Sequence, residues 1–267
     1  MLFFYGECNL EHNQAANGGA ILATESKLNV NGDVTIAHND ATRNGGGVYL
    51  LTSELNCLQD STFVLHGNSA DNRGGGFHAV SSSIKATYYY YYPSYLGTKV
   101  ILTNNTAKFG GGLSLEANAK LNILKYGVST SIINTVIFTT NHAEYGGAVY
   151  LDDDSDSGTC AGDPESECFF QVLAIYFSHL HNFTTKCIYF SHNSASISGS
   201  NLYGGLLDRC AVSTLAEVYK RYGPSSVGGT DYFMKVSSAT YDSISSDPVQ
   251  VCLCTNGIDK CDHQSHI

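Results

Sequence analysis

The side chains with chemical potential in this chain are its cysteines, a run of carboxylates, a few histidines and two arginines. Nine cysteines stand at 8, 57, 160, 168, 187, 210, 252, 254 and 261. Cys252-x-Cys254 followed by Cys261 reads as a compact disulfide knot. Cys254 with Cys261, Cys252 with Cys210, and Cys160 with Cys168 is one pairing; sequence leaves connectivity open, and an odd count leaves one thiol over. Zinc is the alternative, although Cys-x-Cys lacks the usual two-to-four-residue spacing. Asp152-Asp-Asp-Ser-Asp156 offers oxygens to calcium but follows neither calcium-loop pattern, so a solvated acidic loop is expected. His179-x-His181 would share one side of a strand, and surface histidines are the expectation there. Arg43 and Arg73 precede glycines and are expected to bond carbonyls or face solvent. A sugar-cleaving site would need facing carboxylates, or acids with a basic residue, on one side of successive turns. Aligned copies show no such set, and no Gly-x-Ser-x-Gly, His-Glu-x-x-His or phosphate loop occurs. The expectation is therefore no catalytic residue, no metal and no cofactor.

The elements that would carry these residues come from an internal repeat. Each copy has an apolar residue, two spacers, Asn, a spacer, Ala, then glycines and an apolar run. The anchors are Asn13 with Gly18-Gly19, Asn39 with Gly45-Gly46, Asn68 with Gly74-Gly75, Asn105 with Gly110-Gly111, and Asn141 with Gly146-Gly147. A sixth copy has Asn193 and is read as reaching its glycines late, at Gly204-Gly205. Glycine at a fixed place marks positive φ or a backbone approach too close for a Cβ. Asn at a fixed turn tolerates the left-handed region and can stack into a ladder of amides. Alternating stretches such as Val34-Thr-Ile36 and Ala148-Val-Tyr-Leu151 suit half-buried strands. Such short units bury an apolar side only by stacking, which predicts a β-solenoid over residues 1–206. Six coils at about 4.8 Å give a rod of roughly 30 Å. Ser81 to Lys99 interrupts the copies and is expected to be a strand or low-complexity insertion whose tyrosines, Tyr88–Tyr92, pack partly on the rod, with an exposed contact patch as the alternative. Leu115 to Asn134 reads as a further insertion or a complete extra coil. Residues 207–267 read as a cap or a second module, with a helix from Thr214 and short strands near 232 and 249.

The Phe-x-x-Asn and Gly-Gly-Ala-Ile elements, in six ordered copies over residues 8 to 206, resemble the repeats of chlamydial polymorphic outer-membrane proteins. That resemblance implies a right-handed parallel β-helix and an adhesive surface role. No C-terminal membrane barrel of that family is recognisable. The tail, Gly199-Ser-Asn-Leu-Tyr-Gly-Gly-Leu-Leu-Asp-Arg-Cys210 with Ser245-Ser-Asp-Pro-Val-Gln-Val-Cys-Leu-Cys254, resembles large extracellular β-helix proteins of early-branching animals such as sponges.

Composition narrows the classes further. The net charge of −10 and the lack of any basic run argue against nucleic acid and against anionic membrane surfaces. No apolar window is long enough for a membrane helix. Met1-Leu-Phe-Phe-Tyr5 is too short for a secretory leader, so the chain reads as a fragment beginning inside the repeats. The cysteine content and the sequons at Asn104 and Asn182 fit a secreted or cell-surface glycoprotein. The expected function is non-enzymatic structural adhesion toward an unknown extracellular protein or glycan. The alternative is a β-helix polysaccharide lyase or hydrolase.

Overall fold

The computed structural model describes residues 1–58, 60–88, 97–117, 119–126, 135–152, 170–175, 188–203, 231–234, 249–250 and 253–254. The chain winds into stacked coils of four short strands. The second coil shows the unit in full, as Asp33–Ala37, Asp40–Asn44, Val48–Leu51 and Glu54–Cys57. These strands define faces one to four of the rod. Face one continues through Cys8–Glu11, Asp33–Ala37, Thr62–His66, Lys99–Thr103, Thr135–Thr139 and Ile188–Ser191, each parallel to the next. Face three runs from Ile21–Thr24 to Leu202–Tyr203, and face four from Leu2–Tyr5 to Phe170–Ile175, in the same manner. Face two is the shortest and is carried past the third coil by single bridges at Thr106 and Phe109. The architecture is an all-β parallel β-helix.

Alternation along each strand decides what lies inside. On face one, Leu10, Ile36, Leu65, Leu102, Phe138 and Phe190 are register partners from coil to coil. On face three the column is Ile21, Val48, Phe77, Leu113, Val149 and Leu202. Every coil thus extends the same apolar columns, and the core is continuous along the rod. Face two turns alanines inward, and Ala41, Ala70 and Ala107 form a cluster of their own.

Two corners explain the repeated Asn and Gly. After face one the chain turns through a left-handed residue: His12, His38, Gly67, Asn104, Thr140 or His192. The asparagine that follows builds the ladder. Asn68 Oδ1 accepts from the backbone N–H and the Nδ2 of Asn39, both at 3.0 Å. Its own Nδ2 donates forward to Asn105 Oδ1 at 3.1 Å and back to the Ile36 carbonyl at 2.9 Å. Both amide hydrogens and both carbonyl lone pairs are used, so the side chain is buried without a polar deficit. The same bonds join Asn13, Asn105, Asn141 and Asn193 into one line. At the second corner the first glycine of each copy is left-handed, as at Gly74 with φ +64°, and the second lies against the backbone of the next coil.

Register corrects three sequence expectations. In the sixth coil the glycine corner is Gly199-Ser200, with Gly199 at φ +71° and Leu202 opposite Val149; Gly204 and Gly205 lie outside the described residues. A single glycine suffices there, because only the first corner position still needs one, for its positive φ. The second, elsewhere pressed by the backbone of the next coil, has no further parallel coil against it among the described residues. Ser83–Tyr88 and Lys120–Tyr126 are in-register face-four strands, not insertions. They carry no fixed Asn or Gly, so alternation alone marks them. Asp231–Met234 and Val249–Gln250 pair antiparallel to the last strands of faces four and one. The helix expected from Thr214 lies outside the described residues.

Candidate functional site

Faces two and three meet at the glycine corner, and their outward side chains line its outer side. Face two contributes Asn44, Arg73, Phe109 and Tyr145, one per coil. Face three contributes Tyr49, His78, Ser114, Tyr150 and Tyr203 in register. The rings stack from coil to coil: Phe109 on Tyr145 at 5.4 Å and 13°, Tyr150 on Tyr203 at 5.8 Å and 11°. Tilted contacts of 4.9 and 5.2 Å cross the corner. Phe109 and Tyr145, and Tyr150 and Tyr203, thus turn ring faces toward one another.

Arg73 spans this corner. Its Nη1 donates to Glu116 Oε2 at 3.1 Å and to Asp152 Oδ2. Its guanidinium lies 5.8 Å from the Phe109 centroid and 5.7 Å from that of Tyr150. His78, 1% exposed, donates Nε2–H to Glu116 Oε2 at 3.3 Å. Burial holds its pKa below the usual histidine value despite the adjacent carboxylate, so the ring is neutral. The His78 hydrogen bond, with Arg73 beside it, holds Glu116 below the usual carboxylate range against partial burial. Burial, then the charge of Glu116, raises Tyr49. His78 Nδ1 and Ser114 Oγ, from partner residues in the register, are buried without a hydrogen-bond partner.

This set revises three expectations. Arg73 bonds carboxylates, not carbonyls or solvent. Asp152 is a buried ion-pair partner, its side chain 7% exposed, rather than part of a solvated loop. Two carboxylates with a basic residue do occur on successive coils. Sequence alignment missed them because Glu116 and Asp152 close their face-three runs, one residue past the apolar pattern, and Arg73 reaches them from another face. A hydrolase acid needs a raised pKa so that it carries its proton near neutrality. Glu116 is shifted the other way, and Arg73 offsets one of the pair's two negative charges. The chemistry on offer is a fixed ion network binding three coils. Arg73→Met should therefore cost about 2 kcal/mol in urea unfolding, partly recovered when Glu116→Gln is added. Equal losses with and without Glu116→Gln would rule out the network.

A second polar patch lies on face four. Glu54 accepts from Lys27 at 2.8 Å and Lys85 at 2.7 Å, and from Asn56. Partial burial alone would raise its pKa, but these three donors outweigh it and bring it down to about 2. The folded value lies below the unfolded one. Its stabilising contribution is thus complete above about pH 4.5 and lost as the pH falls toward 2. Carboxyl-carbon NMR should show Glu54 titrating near 2 in the native protein and upward of that in Lys85→Met; an unchanged midpoint in the variant would refute the assignment.

The remaining sequence candidates separate clearly. Asn13, Asn39, Asn68, Asn105, Asn141 and Asn193 form the ladder, and Gly18, Gly19, Gly45, Gly46, Gly74, Gly75, Gly110, Gly111, Gly146 and Gly147 form the second corner. Asn104 is exposed at its left-handed turn, with Gly67 and Thr140 in the neighbouring coils. Asn182, the 160, 168, 187, 210, 252 and 261 cysteines, His179, His181, residues 153–156 and tyrosines 89–92 lie outside the described residues. Cys254 falls in a described strand, Leu253–Cys254. Cys8 and Cys57 are free thiols, and burial in the core pushes Cys57 up to about 12. Among the described residues no group of three or more His, Cys, Asp or Glu is placed to hold a metal ion, and no helix is long and apolar enough to cross a membrane.

The fold and its Asn and Gly columns define a parallel β-helix of short repeats with polar ladders. Over 112 residues, 41% of its length, the chain is 30% identical to the "Probable outer membrane protein pmp20" of Chlamydia pneumoniae. The chain spans only 6% of that protein. No family model matches, and no solved structure matches.

Proposed function

We propose that this chain is a surface-exposed or extracellular structural protein that works by adhesion, with the β-helix as a rigid scaffold and no catalytic step. One topological observation carries the reading. Segments 89–96, 127–134 and 176–187 each connect face four to face one, in three successive coils. Most of the length that varies between copies therefore falls between face four and face one, with one further stretch between Leu151 of face three and Phe170 of face four. Such insertions in solenoids often serve binding. The tyrosine run belongs to the first of these segments, and Tyr suits contact surfaces. The outer-membrane name of the chlamydial relative supports a surface location.

Glycan arrays and cell-adhesion assays with the purified chain test this reading. Retention that is lost when tyrosines 88–92 are all changed to serine is expected; no retention on either platform would refute it. A second reading, a polysaccharide-active enzyme, draws on Arg73, Glu116 and Asp152. It requires release of cleaved product from acidic polysaccharides, abolished by Glu116→Gln.

A further inference from the structure

We propose that Asn201 terminates the asparagine ladder and thereby fixes where parallel stacking of coils stops. In each earlier coil, the ladder Nδ2 donates to the Oδ1 of the Asn one coil further on, ending with Asn141 to Asn193 at 3.0 Å. Asn193 breaks the pattern. Its Nδ2 donates to Asn201 Oδ1 at 3.1 Å, eight residues later in its own coil. Its backward bond, to the Phe138 carbonyl at 3.0 Å, is the ordinary one. The last rung is thus satisfied without a following coil.

The place Asn201 occupies gives this bond its meaning. The carbonyl of Asn201 accepts from Val149 N–H, as the carbonyls of Gly76, Gly112 and Ala148 accept from Val48, Phe77 and Leu113. Asn201 therefore stands at the third position of the glycine corner. In the inner coils that position faces the ladder Asn of the next coil. A Cβ on Gly76 would lie 3.2 Å from the Asn105 side chain, and one on Gly112 would lie 3.3 Å from that of Asn141. A small residue there makes room for a further rung. An asparagine there fills the room and supplies the acceptor that rung would have brought. Asn193, Ser200 and Asn201 are buried, at 4%, 6% and 8% exposed. Strand direction past the sixth coil agrees independently. The pairings from coil to coil are parallel, whereas the next described strands, Asp231–Met234 and Val249–Gln250, join faces four and one antiparallel. An open solenoid end presents strand edges to any other chain, and a terminating residue with a change of strand direction closes it.

Hydrogen exchange resolved by peptide on the full chain tests the assignment. Asn201→Ala leaves one of the two Asn193 Nδ2 hydrogens buried without an acceptor, and the amides of Gly147 and Val149, which bond to coil six, should exchange roughly tenfold faster. The amides of Gly46 and Val48, three coils away, should not change. Asn201→Asp keeps an oxygen in place and should restore most of the protection at Gly147 and Val149. Unchanged exchange in Asn201→Ala overturns the proposal. Equal acceleration in both variants also overturns it, since the side chain would then act only by filling space.

Discussion

Gly75→Ala is expected to abolish the folded rod, with a loss above about 4 kcal/mol against the 5–15 kcal/mol that holds a typical domain. Gly75 does not need a left-handed φ; it needs the absence of a Cβ. That atom would sit 2.3 Å from the Thr106 carbonyl oxygen and 2.6 Å from that of Gly111. Both belong to the next coil and cannot retreat singly. Thr106 accepts from Ala70 N–H and donates to the Asn68 carbonyl, and Gly111 accepts from Gly76 N–H. Moving either breaks bonds on both sides of the stack. Gly6→Ala is the informative control. Gly6 has φ +69° but nothing within 4 Å of a built Cβ, so only left-handed strain applies, about 1–2 kcal/mol. Circular dichroism and urea unfolding should show Gly75→Ala unfolded or barely folded and Gly6→Ala folded with a lower midpoint. Comparable midpoints would mean that close coil packing is not what selects glycine.

The second large effect belongs to Asn105, fully buried at the middle of the ladder. Its Oδ1 accepts from the backbone N–H and Nδ2 of Asn68, at 3.0 and 3.1 Å, and its Nδ2 donates to Asn141 Oδ1 and the Leu65 carbonyl, both at 3.0 Å. Asn105→Ala strands the Asn68 amide and weakens the rungs on both sides. At about 1–3 kcal/mol per buried unsatisfied group, the total comes to about 4 kcal/mol. Asn105→Asp keeps the shape and the two acceptors but turns an oxygen toward two oxygens while burying a charge. Its loss in urea unfolding should equal or exceed that of the alanine variant. An aspartate variant as stable as the parent would show that shape, not donor and acceptor order, holds the corner.

These two positions were also the most legible in the sequence, for a physical reason. A ladder Asn and a corner Gly answer demands made by the backbone at one point of every coil, so they recur beside the same neighbours. The strands of faces one and three were legible because they abut those anchors and alternate. Ser83–Tyr88 and Lys120–Tyr126 were not, because face four lies farthest from any anchor. Gly204-Gly205 drew the sixth corner astray by imitating the doublet, while Gly199-Ser200-Asn201 keeps only the glycine whose φ matters. The Arg73 set was hidden for a different reason. Its members are 43 and 79 residues from Arg73 along the chain and meet only because coil stacking aligns face two of one coil with face three of the next two. No local spacing records that. The lowered pKa of Glu116 then argues against a general-acid role for it, which no sequence pattern addresses.

Incubating the purified chain with a panel of neutral and acidic polysaccharides, while scoring retention and bond cleavage in the same samples, tests the central claim most directly. The scaffold account predicts retention of a ligand, or of cells bearing it, with no new reducing ends or unsaturated products. Product formation that Glu116→Gln or Asp152→Asn abolishes would contradict it, and would make the corner spanned by Arg73 an active site.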